Sequence, residues 1–332
     1  MSGCRFKILL ICVLAVVSGC NDTRSKAKSS NNPISVTDFR GEKIELKQPV
    51  TKAVCLIEST LSGIYMLGAK DQVIGISTNV YDAPLFDYYA NLDSRIADKT
   101  LPAPGNWDLV SIEQVVAMQP DLVFIWASQT ETIARLQSFG IPVYGVMLKS
   151  FGDVMKEMQD LGKLFGKVER AKSLEDFANG ELNKIQTNRP KTAKSAYFAW
   201  PQGINHTSGT ESTVNDLFNY AGVVNACPLP DEHISVNIER LLFWNPQLIV
   251  LWPGFKVSSE NILQNDQLKS ITAIAQKQVF ELPDPFLCDL WTLKMIYSAY
   301  LVNQWAYPDS SRQDAEIYRE YLLQKLYPTL NE

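Results

Sequence analysis

Three tryptophans stand at the ends of predicted strands in this sequence. Trp126, Trp200 and Trp252 each end an apolar run, and the runs LVFIW and LIVLW are continuous, as is typical of strands buried on both faces. In open α/β sheets, ligands bind beyond the carboxyl ends of the strands. Indole rings there would suit a large planar or aromatic ligand. The alternative for any one tryptophan is packing in the core or at the rim.

The loops after these and neighbouring strands supply further candidates for the same cleft. They carry mostly aromatic, hydroxyl and amide side chains, which suit an apolar pocket with a few orienting polar groups. Besides the three tryptophans, the predicted contacts are Ser59, Thr60, Tyr81, Asn106, Trp107, His206, Phe255 and Trp291. Positive charge is sparse near them, with only Lys149 and Lys256 close by.

Motifs for catalysis and for structural metal sites are missing from the sequence. There is no GxSxG turn, and only His206 and His233 could serve as a base, so a secreted α/β hydrolase is a remote alternative. No CxxC spacing or Cys/His cluster predicts structural zinc. The formal net charge is −5 and no basic stripe appears, which argues against nucleic-acid binding. We expect neither an enzyme nor a bound cofactor.

Three cysteines, Cys55, Cys227 and Cys288, lie in the predicted globular part. Outside the cytosol one of the possible pairs could be oxidised. A bond between Cys227 and Cys288 would lie within the second half of the chain, but the sequence cannot establish the pairing.

The helix and strand that position these residues are predicted from a sequence motif that occurs twice in the chain. SIEQVVAMQPDLVFIW runs from 111 to 126 and NIERLLFWNPQLIVLW runs from 237 to 252. Each copy begins with a polar cap, continues with apolar residues at helical spacing, and passes through a proline into a buried strand. Aligned without a gap, the copies share Ile112 with Ile238, Glu113 with Glu239, Pro120 with Pro246, Leu122 with Leu248 and Trp126 with Trp252. Two half-molecules of similar build are therefore predicted.

A helical pattern joins the two halves. VERAKSLEDFANGELNKIQ places its apolar residues on one face, and at about 1.5 Å per residue it would be ~30 Å long, enough to cross between lobes. The predicted fold class is α/β, with two Rossmann-like lobes around central, mostly parallel sheets and one long interdomain helix. The stretch 78–108, rich in Tyr, Asp, Asn and Pro, predicts a long functional loop. The predicted parts are a signal peptide at 1–19, a tether at 20–33, an N-terminal lobe at 34–167, a linker helix at 168–190 and a C-terminal lobe at 191–332.

The N-terminus carries the marks of export and lipid attachment. MSGCRFK supplies two positive charges, ILLICVLAVV is an apolar run of signal-peptide length, and SGC follows. The tetrad ending in Cys20 resembles a bacterial lipobox, whose cysteine is acylated; the alternative is an ordinary cleavage site. NDTRSKAKSSNNP is polar and predicts a flexible tether. We expect an extracytoplasmic protein anchored to a membrane through lipid on Cys20.

Several motifs together resemble one protein family. The lipobox, VTDFRGEKIELKQPVTKAV, the first repeat copy with FGIPVYGV, TSGTES before a helix that ends in YAG, and NPQLIVLW follow in order over nearly all of the mature chain. This order resembles the class III periplasmic substrate-binding proteins of ABC importers for ferric siderophores, haem and cobalamin. The resemblance implies two α/β lobes bridged by one long helix, with the ligand between them, and a binding component instead of a catalyst.

The resemblance also gives the duplication a purpose. In this family each lobe presents one surface glutamate to an arginine pocket on one of two permease subunits, and Glu113 and Glu239 fall on those positions. Two equivalent acids suit a pseudo-twofold permease dimer. The alternative is that a glutamate in the first helical turn only complements the helix dipole. We expect a monomer whose partners are a small-molecule metal chelate and the permease.

The sparse positive charge near the predicted cleft reduces the number of ligand classes that fit it. A strongly anionic catecholate complex normally needs several Arg or Lys side chains, so a corrinoid, a less charged siderophore or haem fits better. Direct iron ligation would need Tyr or His, for which Tyr81, His206 and His233 are the candidates. Tyr81 occupies a loop that supplies ligand contacts in relatives, whereas a lone histidine is more often a hydrogen-bonded surface or core residue.

Two other readings stay open. A small oxyanion such as molybdate, which some relatives take up, would bind helix N-termini and hydroxyl groups instead of aromatic rings, and Ser59, Thr60, Ser208 and Ser212 stand at predicted helix starts. A binding module without a transporter, such as a sensor or metallophore scavenger, would need no paired glutamates. In either case a rigid linker helix predicts only a small closure on binding.

Overall fold

Two four-stranded parallel sheets organise the chain. The structure is a computed structural model that describes residues 33–187, 190–254, 258–308 and 313–328. In chain order the strands are Ile34–Thr37 (β1), Lys43–Leu46 (β2), Ala53–Cys55 (β3), Val73–Ile76 (β4), Leu122–Trp126 (β5), Val143–Val146 (β6), Ser195–Ala199 (β7), His206–Thr207 (β8), Val224–Asn225 (β9), Ile234–Ser235 (β10), Leu248–Leu251 (β11) and Val279–Glu281 (β12). The N-terminal lobe contains the sheet β4–β3–β5–β6 and the C-terminal lobe contains β12–β11–β7–β9. Two antiparallel pairs, β1–β2 and β8–β10, stand apart from them.

Helices alternate with these strands along both lobes. They are Glu58–Met66 (α1), Leu85–Leu92 (α2), Ser94–Ala97 (α3), Ile112–Met118 (α4), Thr130–Ser138 (α5), Phe151–Leu164 (α6), Val168–Gln186 (α7), Thr213–Ala221 (α8), Ile238–Trp244 (α9), Ser259–Leu263 (α10), Thr272–Ala275 (α11), Met295–Ala306 (α12) and Ala315–Leu326 (α13). The predicted α/β fold class is confirmed. The finer lobe limits stay a prediction. Within the described ranges, no helix has both the length and the apolar character needed to cross a bilayer.

The middle strands of each sheet are apolar at every position because helices cover both faces. Residues 122–125 of β5 and all of β11 are buried completely. Strand β5 pairs in parallel with β3 and β6, and β11 pairs in parallel with β7 and β12. The residues that follow each strand therefore emerge at one common edge of each sheet.

The two repeat copies fold in the same way. Ser111 caps α4 by accepting from the backbone N–H of Gln114, and Asn237 caps α9 by accepting from Arg240. Both helices have seven residues and end on a non-glycine residue in the left-handed region, Gln119 and Asn245. The proline that comes next cannot continue the helix, and the chain turns into the buried strand.

Helix α7 joins the lobes, and its apolar face is buried against α6 and α12. The buried apolar residues are Ala171, Leu174, Ala178, Leu182 and Ile185. Phe177, on the same predicted face, is only partly buried and packs at the margin of the core. The core cluster that α7 belongs to includes residues of both lobes, so the linker helix is packed along its length and does not stand free.

A second connection between the lobes comes from the end of the chain. Arg170, at the start of α7, donates through Nη2 to the carbonyl oxygens of Lys325 and Leu326, at 2.8 and 3.0 Å. The hydroxyls of Ser62 in α1 and Tyr327 share a hydrogen bond of 2.5 Å. The segment from α13 to Tyr327, which we call the C-terminal strap, thus holds α1 of the N-terminal lobe.

The structure differs from the sequence-based prediction for residues 78–108. The stretch 78–108 is not one long loop: it contains α2 and α3, and Asp93 caps α3 by accepting from the backbone N–H of Arg95. Turn-forming residues at the ends of these short helices made the whole stretch resemble a loop in composition.

The three described cysteines, Cys55, Cys227 and Cys288, are free thiols and buried, so Cys227 and Cys288 form no disulfide.

The C-terminal strap makes a testable contribution to stability. Glu181 is buried in α7, accepts from the Tyr318 hydroxyl at 2.8 Å and is paired with Lys184 Nζ at 2.7 Å. Glu181→Ala leaves the Tyr318 hydroxyl without this acceptor, so we expect a loss of about 1–3 kcal/mol in the free energy of unfolding, measured by urea denaturation. Asp176→Ala, which breaks an exposed ion pair on the same helix, is the control, with an expected change under about 0.5 kcal/mol. Equal losses in the two variants would contradict this account.

Candidate functional site between the lobes

A cavity of about 850 Å³ lies between the two lobes. Its walls come from residues that follow β3, β4, β5 and β6 on one side and β11 and β12 on the other. This is the edge at which the parallel strands end, as the strand pattern predicts. The volume is within the range of about 300–1,000 Å³ that small-molecule sites occupy.

Four tryptophans line this cavity, two from each lobe. Trp126 is the last residue of β5 and Trp107 lies in the segment before α4, whereas Trp252 follows β11 and Trp291 lies before α12. Trp252 and Trp291 meet edge to face with ring centroids 5.9 Å apart, and Trp107 is 49% exposed. The described wall is therefore aromatic on both sides, with Ser59 as a hydroxyl beside it.

Trp200, the third strand-end tryptophan, lies behind this wall instead of on it. Its side chain is 6% exposed, stacks on Trp291 at 6.0 Å and contacts Trp252 at 5.3 Å. Its indole N–H donates to the Ser208 hydroxyl at 2.8 Å. Trp200 therefore supports the two cavity tryptophans, although β7 and β11 end at the same register, with Ala199 opposite Leu251.

Four other predicted contacts are engaged elsewhere. The Tyr81 hydroxyl donates to the Leu101 carbonyl oxygen at 2.6 Å, and Asn106 donates to the Asn79 side chain at 2.9 Å. His206 Nδ1 contacts the Ser235 hydroxyl at 3.2 Å in the β8–β10 pair. The Thr60 hydroxyl points inward to the buried Glu157. Phe255 and Lys256 lie outside the described residues.

Charged residues complete the cavity, and the sequence pattern did not single out most of them. They are Glu58, Lys149, Glu232, Asp289 and Lys294. Asp289 and Lys294 belong to CDLWTLK, an irregular segment before α12 with no helical or strand period to interpret. Only the tertiary fold brings this segment to the cavity.

Lys294 and Asp289 form a buried pair at the base of the cavity. The Lys294 ammonium lies 4.0 Å from Asp289 Oδ2 and 3.5 Å from the centroid of the Phe286 ring, and Lys294 is 2% exposed. Burial lowers the pKa of Lys294 to about 8, although Asp289 acts against this shift. Burial likewise raises the pKa of Asp289. The cation therefore has its counter-charge and an aromatic face within the protein.

Glu58 occupies the start of α1, where the helix dipole favours negative charge. Its Oε1 accepts from the Ser77 hydroxyl at 2.6 Å. The protein thus places its own carboxylate at the helix end that faces the cavity, a position that a bound anion would otherwise use.

A resident metal site is not evident in the described part of the chain, where no group of three or more His, Cys, Asp or Glu side chains is arranged to hold an ion. His233 is the one histidine of the described residues that lines the cavity, and its ring packs on Trp200 at 5.5 Å.

The two duplicated glutamates lie on the surface. Glu113 in α4 is 82% exposed, and its nearest basic group is Arg135 Nη2 at 3.9 Å. Glu239 is exposed at the matching position of α9, and Phe243, one turn later, is 85% exposed. Both carboxylates are therefore available to another molecule.

The buried carboxyl of Glu157, behind the cavity, predicts that the stability of the fold depends on pH. Burial raises the pKa of Glu157 from 4.5 to about 8, with only partial relief from the Thr60 hydroxyl at 2.7 Å. Between these two values the folded protein holds a proton that the unfolded chain releases, so rising pH destabilises the fold. As the pH rises from 5 to 8, the free energy of unfolding should therefore fall by roughly 2 to 4 kcal/mol less in Glu157→Gln than in the unchanged protein.

Urea denaturation across this pH range measures the effect, and Glu131→Gln on the exposed side of α5 is the control. The control should keep the pH slope of the unchanged protein. If Glu157→Gln kept that slope as well, the buried carboxyl would not be the group that titrates.

Three known proteins show what the chain is similar to. The uncharacterized ABC transporter substrate-binding lipoprotein YvrC of Bacillus subtilis is 25% identical over 321 residues, which cover 92% of this chain and 97% of the relative. The molybdate-binding protein MolA of Haemophilus influenzae is 24% identical over 75% of this chain and 77% of its own length. The high-affinity heme uptake system protein IsdE of Staphylococcus aureus is 26% identical over 69% of this chain and 83% of its own length.

Solved structures share the fold. MolA of Haemophilus influenzae bound to molybdate has a TM-score of 0.74 and 20% identity, and covers 89% of this chain and 98% of that one. A periplasmic solute-binding protein of Veillonella parvula has a TM-score of 0.70 and 18% identity, and covers 90% of this chain and 93% of that one. The family model for periplasmic binding proteins matches residues 54–286, which include both sheets. The chain belongs to the periplasmic binding protein family.

Proposed function

We propose that the protein captures a metal chelate in the cavity between its lobes and delivers it to the permease of an ABC importer. The broader assignment follows from the family: an ABC transporter substrate-binding protein, extracytoplasmic, with a small-molecule ligand and a permease partner. The relatives bind solutes, which favours a binding role over an enzymatic one. The chelate itself, which is a ferric siderophore, haem or a corrinoid, is the finer part of the proposal.

The observation that carries the proposal is the aromatic wall of the cavity. Two lobes contribute two tryptophans each, around a volume of about 850 Å³. Indole rings bind ligands through large apolar contacts and stacking, which suit a chelate with an extended organic shell. We propose Ser59, Trp107, Trp126, Trp252 and Trp291 as direct contacts, with Trp200 as the support beneath them.

An oxyanion such as molybdate is the second candidate, supported by the similarity to MolA. Three of the four hydroxyls expected to bind it, those of Thr60, Ser208 and Ser212, have protein partners. Ser208 bridges Trp200 and the carbonyl oxygen of Glu232, and Ser212 caps α8 while donating to Gly209. A four-oxygen anion would also fill only a small part of the cavity. The chelate is therefore the better fit.

Lipid attachment at Cys20 belongs to the same proposal. Cys20 and the tether lie outside the described residues, so the support is the lipobox in the sequence and the lipoprotein YvrC among the relatives. An anchored binding protein would stay close to its permease. Docking through Glu113 and Glu239 would then orient the cavity toward the translocation path.

Removing one cavity tryptophan should weaken ligand binding. Trp252→Ala deletes an indole that contacts both Trp200 and Trp291, so we expect the Kd for the bound chelate to rise about tenfold or more. Intrinsic fluorescence titration with haemin, cyanocobalamin, ferric siderophores and molybdate is the measurement. Phe243→Ala, an exposed ring outside the cavity, is the matched control and should leave Kd within about twofold. A response to molybdate alone would favour the oxyanion candidate.

Reversing the surface glutamates should separate binding from delivery. Because Glu113 and Glu239 are exposed and outside the cavity, Glu113→Lys with Glu239→Lys should leave the ligand Kd unchanged. Ligand-stimulated ATPase activity of the reconstituted permease should fall at least about tenfold, since like charges at an interface repel. Glu131→Lys, an exposed glutamate on α5, controls for net charge. Full stimulation by the double variant would rule out this docking surface.

A further inference from the structure

The cavity carries more negative than positive charge among its described lining residues. Three carboxylates, Glu58, Glu232 and Asp289, face two ammonium groups, Lys149 and Lys294. The cavity is partly enclosed, and charges in such a site act on a ligand more strongly than they would in water. The balance of charge therefore bears directly on which ligands can enter.

The buried cation is not available to an anionic ligand. Lys294 is paired with Asp289 at 4.0 Å and covered by the Phe286 ring at 3.5 Å. A ligand that used this ammonium would leave Asp289 as a buried carboxylate without its counter-charge, which is costly. Lys149 is the other ammonium group among the described lining residues, and its side chain is exposed.

Glu232 is a cavity carboxylate that the protein compensates only in part. Burial raises the pKa of its carboxyl, and the charges of His233 and Lys149 and the Trp291 side chain act against this shift. It lines the cavity beside Trp291, and its Oε1 is buried with no hydrogen-bond partner among the described residues. Buried polar atoms almost always have a partner, so an orphaned one needs an explanation. Glu58 differs, because it has the Ser77 hydroxyl and the end of α1.

We infer that the ligand is a neutral or positively charged chelate that directs an N–H or O–H donor at the Glu232 carboxylate. This inference rests on the proposed function. Such a donor would form a charge-assisted hydrogen bond with the Glu232 side chain at the cavity wall, and a positive charge on the ligand would strengthen it. The tryptophan walls accept the same ligand, because aromatic faces attract cations and stack on neutral rings. An anionic chelate would instead bring its charge against Glu58 and Glu232.

Matched pairs of ligands test this inference on the full protein. The first pair is a linear ferric trihydroxamate with a terminal ammonium group and its N-acetyl derivative. The second pair is cyanocobalamin and the derivative in which one side-chain amide is hydrolysed to a carboxylate. Haemin and molybdate serve as anionic probes. Calorimetric titration gives Kd for each probe at one pH and one salt concentration.

Two variants identify the residue responsible. Glu232→Gln removes the charge and keeps the shape, and Glu211→Gln changes an exposed glutamate in the smaller adjoining cavity. We expect the unchanged protein to prefer the ammonium or amide member of the pair that it binds by about tenfold or more. Glu232→Gln should reduce that preference to under about threefold, and Glu211→Gln should leave it unchanged. Thermal unfolding checks that both variants are folded.

The outcomes separate this inference from the broader proposal. Tighter binding of haemin, molybdate or the carboxylate derivative by the unchanged protein would overturn the inference and leave the importer role standing. An undiminished preference in Glu232→Gln would overturn the role given to Glu232. No binding of any probe would remove the support for chelate capture, and the inference would fall with it.

Discussion

Parallel strands all end at the same edge of their sheet, and the functional part of this molecule depends on that constraint. Strands β3 to β6 release their following residues at one edge, and β11 and β12 do the same in the second lobe. The two edges face each other across a cavity of about 850 Å³. Two tryptophans of the aromatic wall, Trp126 and Trp252, reach the cavity because they stand at or just after the end of a central strand. Trp107 and Trp291 reach it from irregular segments instead.

Charge burial near the cavity is difficult to explain by stability alone. Taking Lys294 and Asp289 out of water costs several kcal/mol per ion, and their attraction at 4.0 Å repays that cost only in part. Glu157 adds a third titratable group nearby, with its pKa raised to about 8 by burial. Clusters of this kind are more frequent at binding sites than in ordinary cores. The cavity therefore combines an apolar wall with a polar base that is mostly satisfied from within.

The sequence predicts the buried strands of this protein better than the residues that irregular segments bring to the cavity. Hydrophobic runs with proline before them indicate β5 and β11, because a strand buried on both faces has little freedom of composition. The same reasoning places Trp126 and Trp252 at the cavity. It places Trp200 there too, but a strand end does not reveal depth, and the indole packs one layer behind. Asp289 and Lys294 escape prediction because an irregular segment has no period, and α2 and α3 escape because their residues also favour turns.

The C-terminal strap has a consequence for the order in which the chain can fold. Tyr327 is completely buried against Ser62, and the carbonyls of Lys325 and Leu326 hold Arg170, which in turn binds the end of α1. A chain emerging from the ribosome has finished its first sheet long before these residues exist. The surface of α1 around Ser62 therefore stays uncovered until the last helix is made, and the final residues of the chain complete the packing of its first lobe.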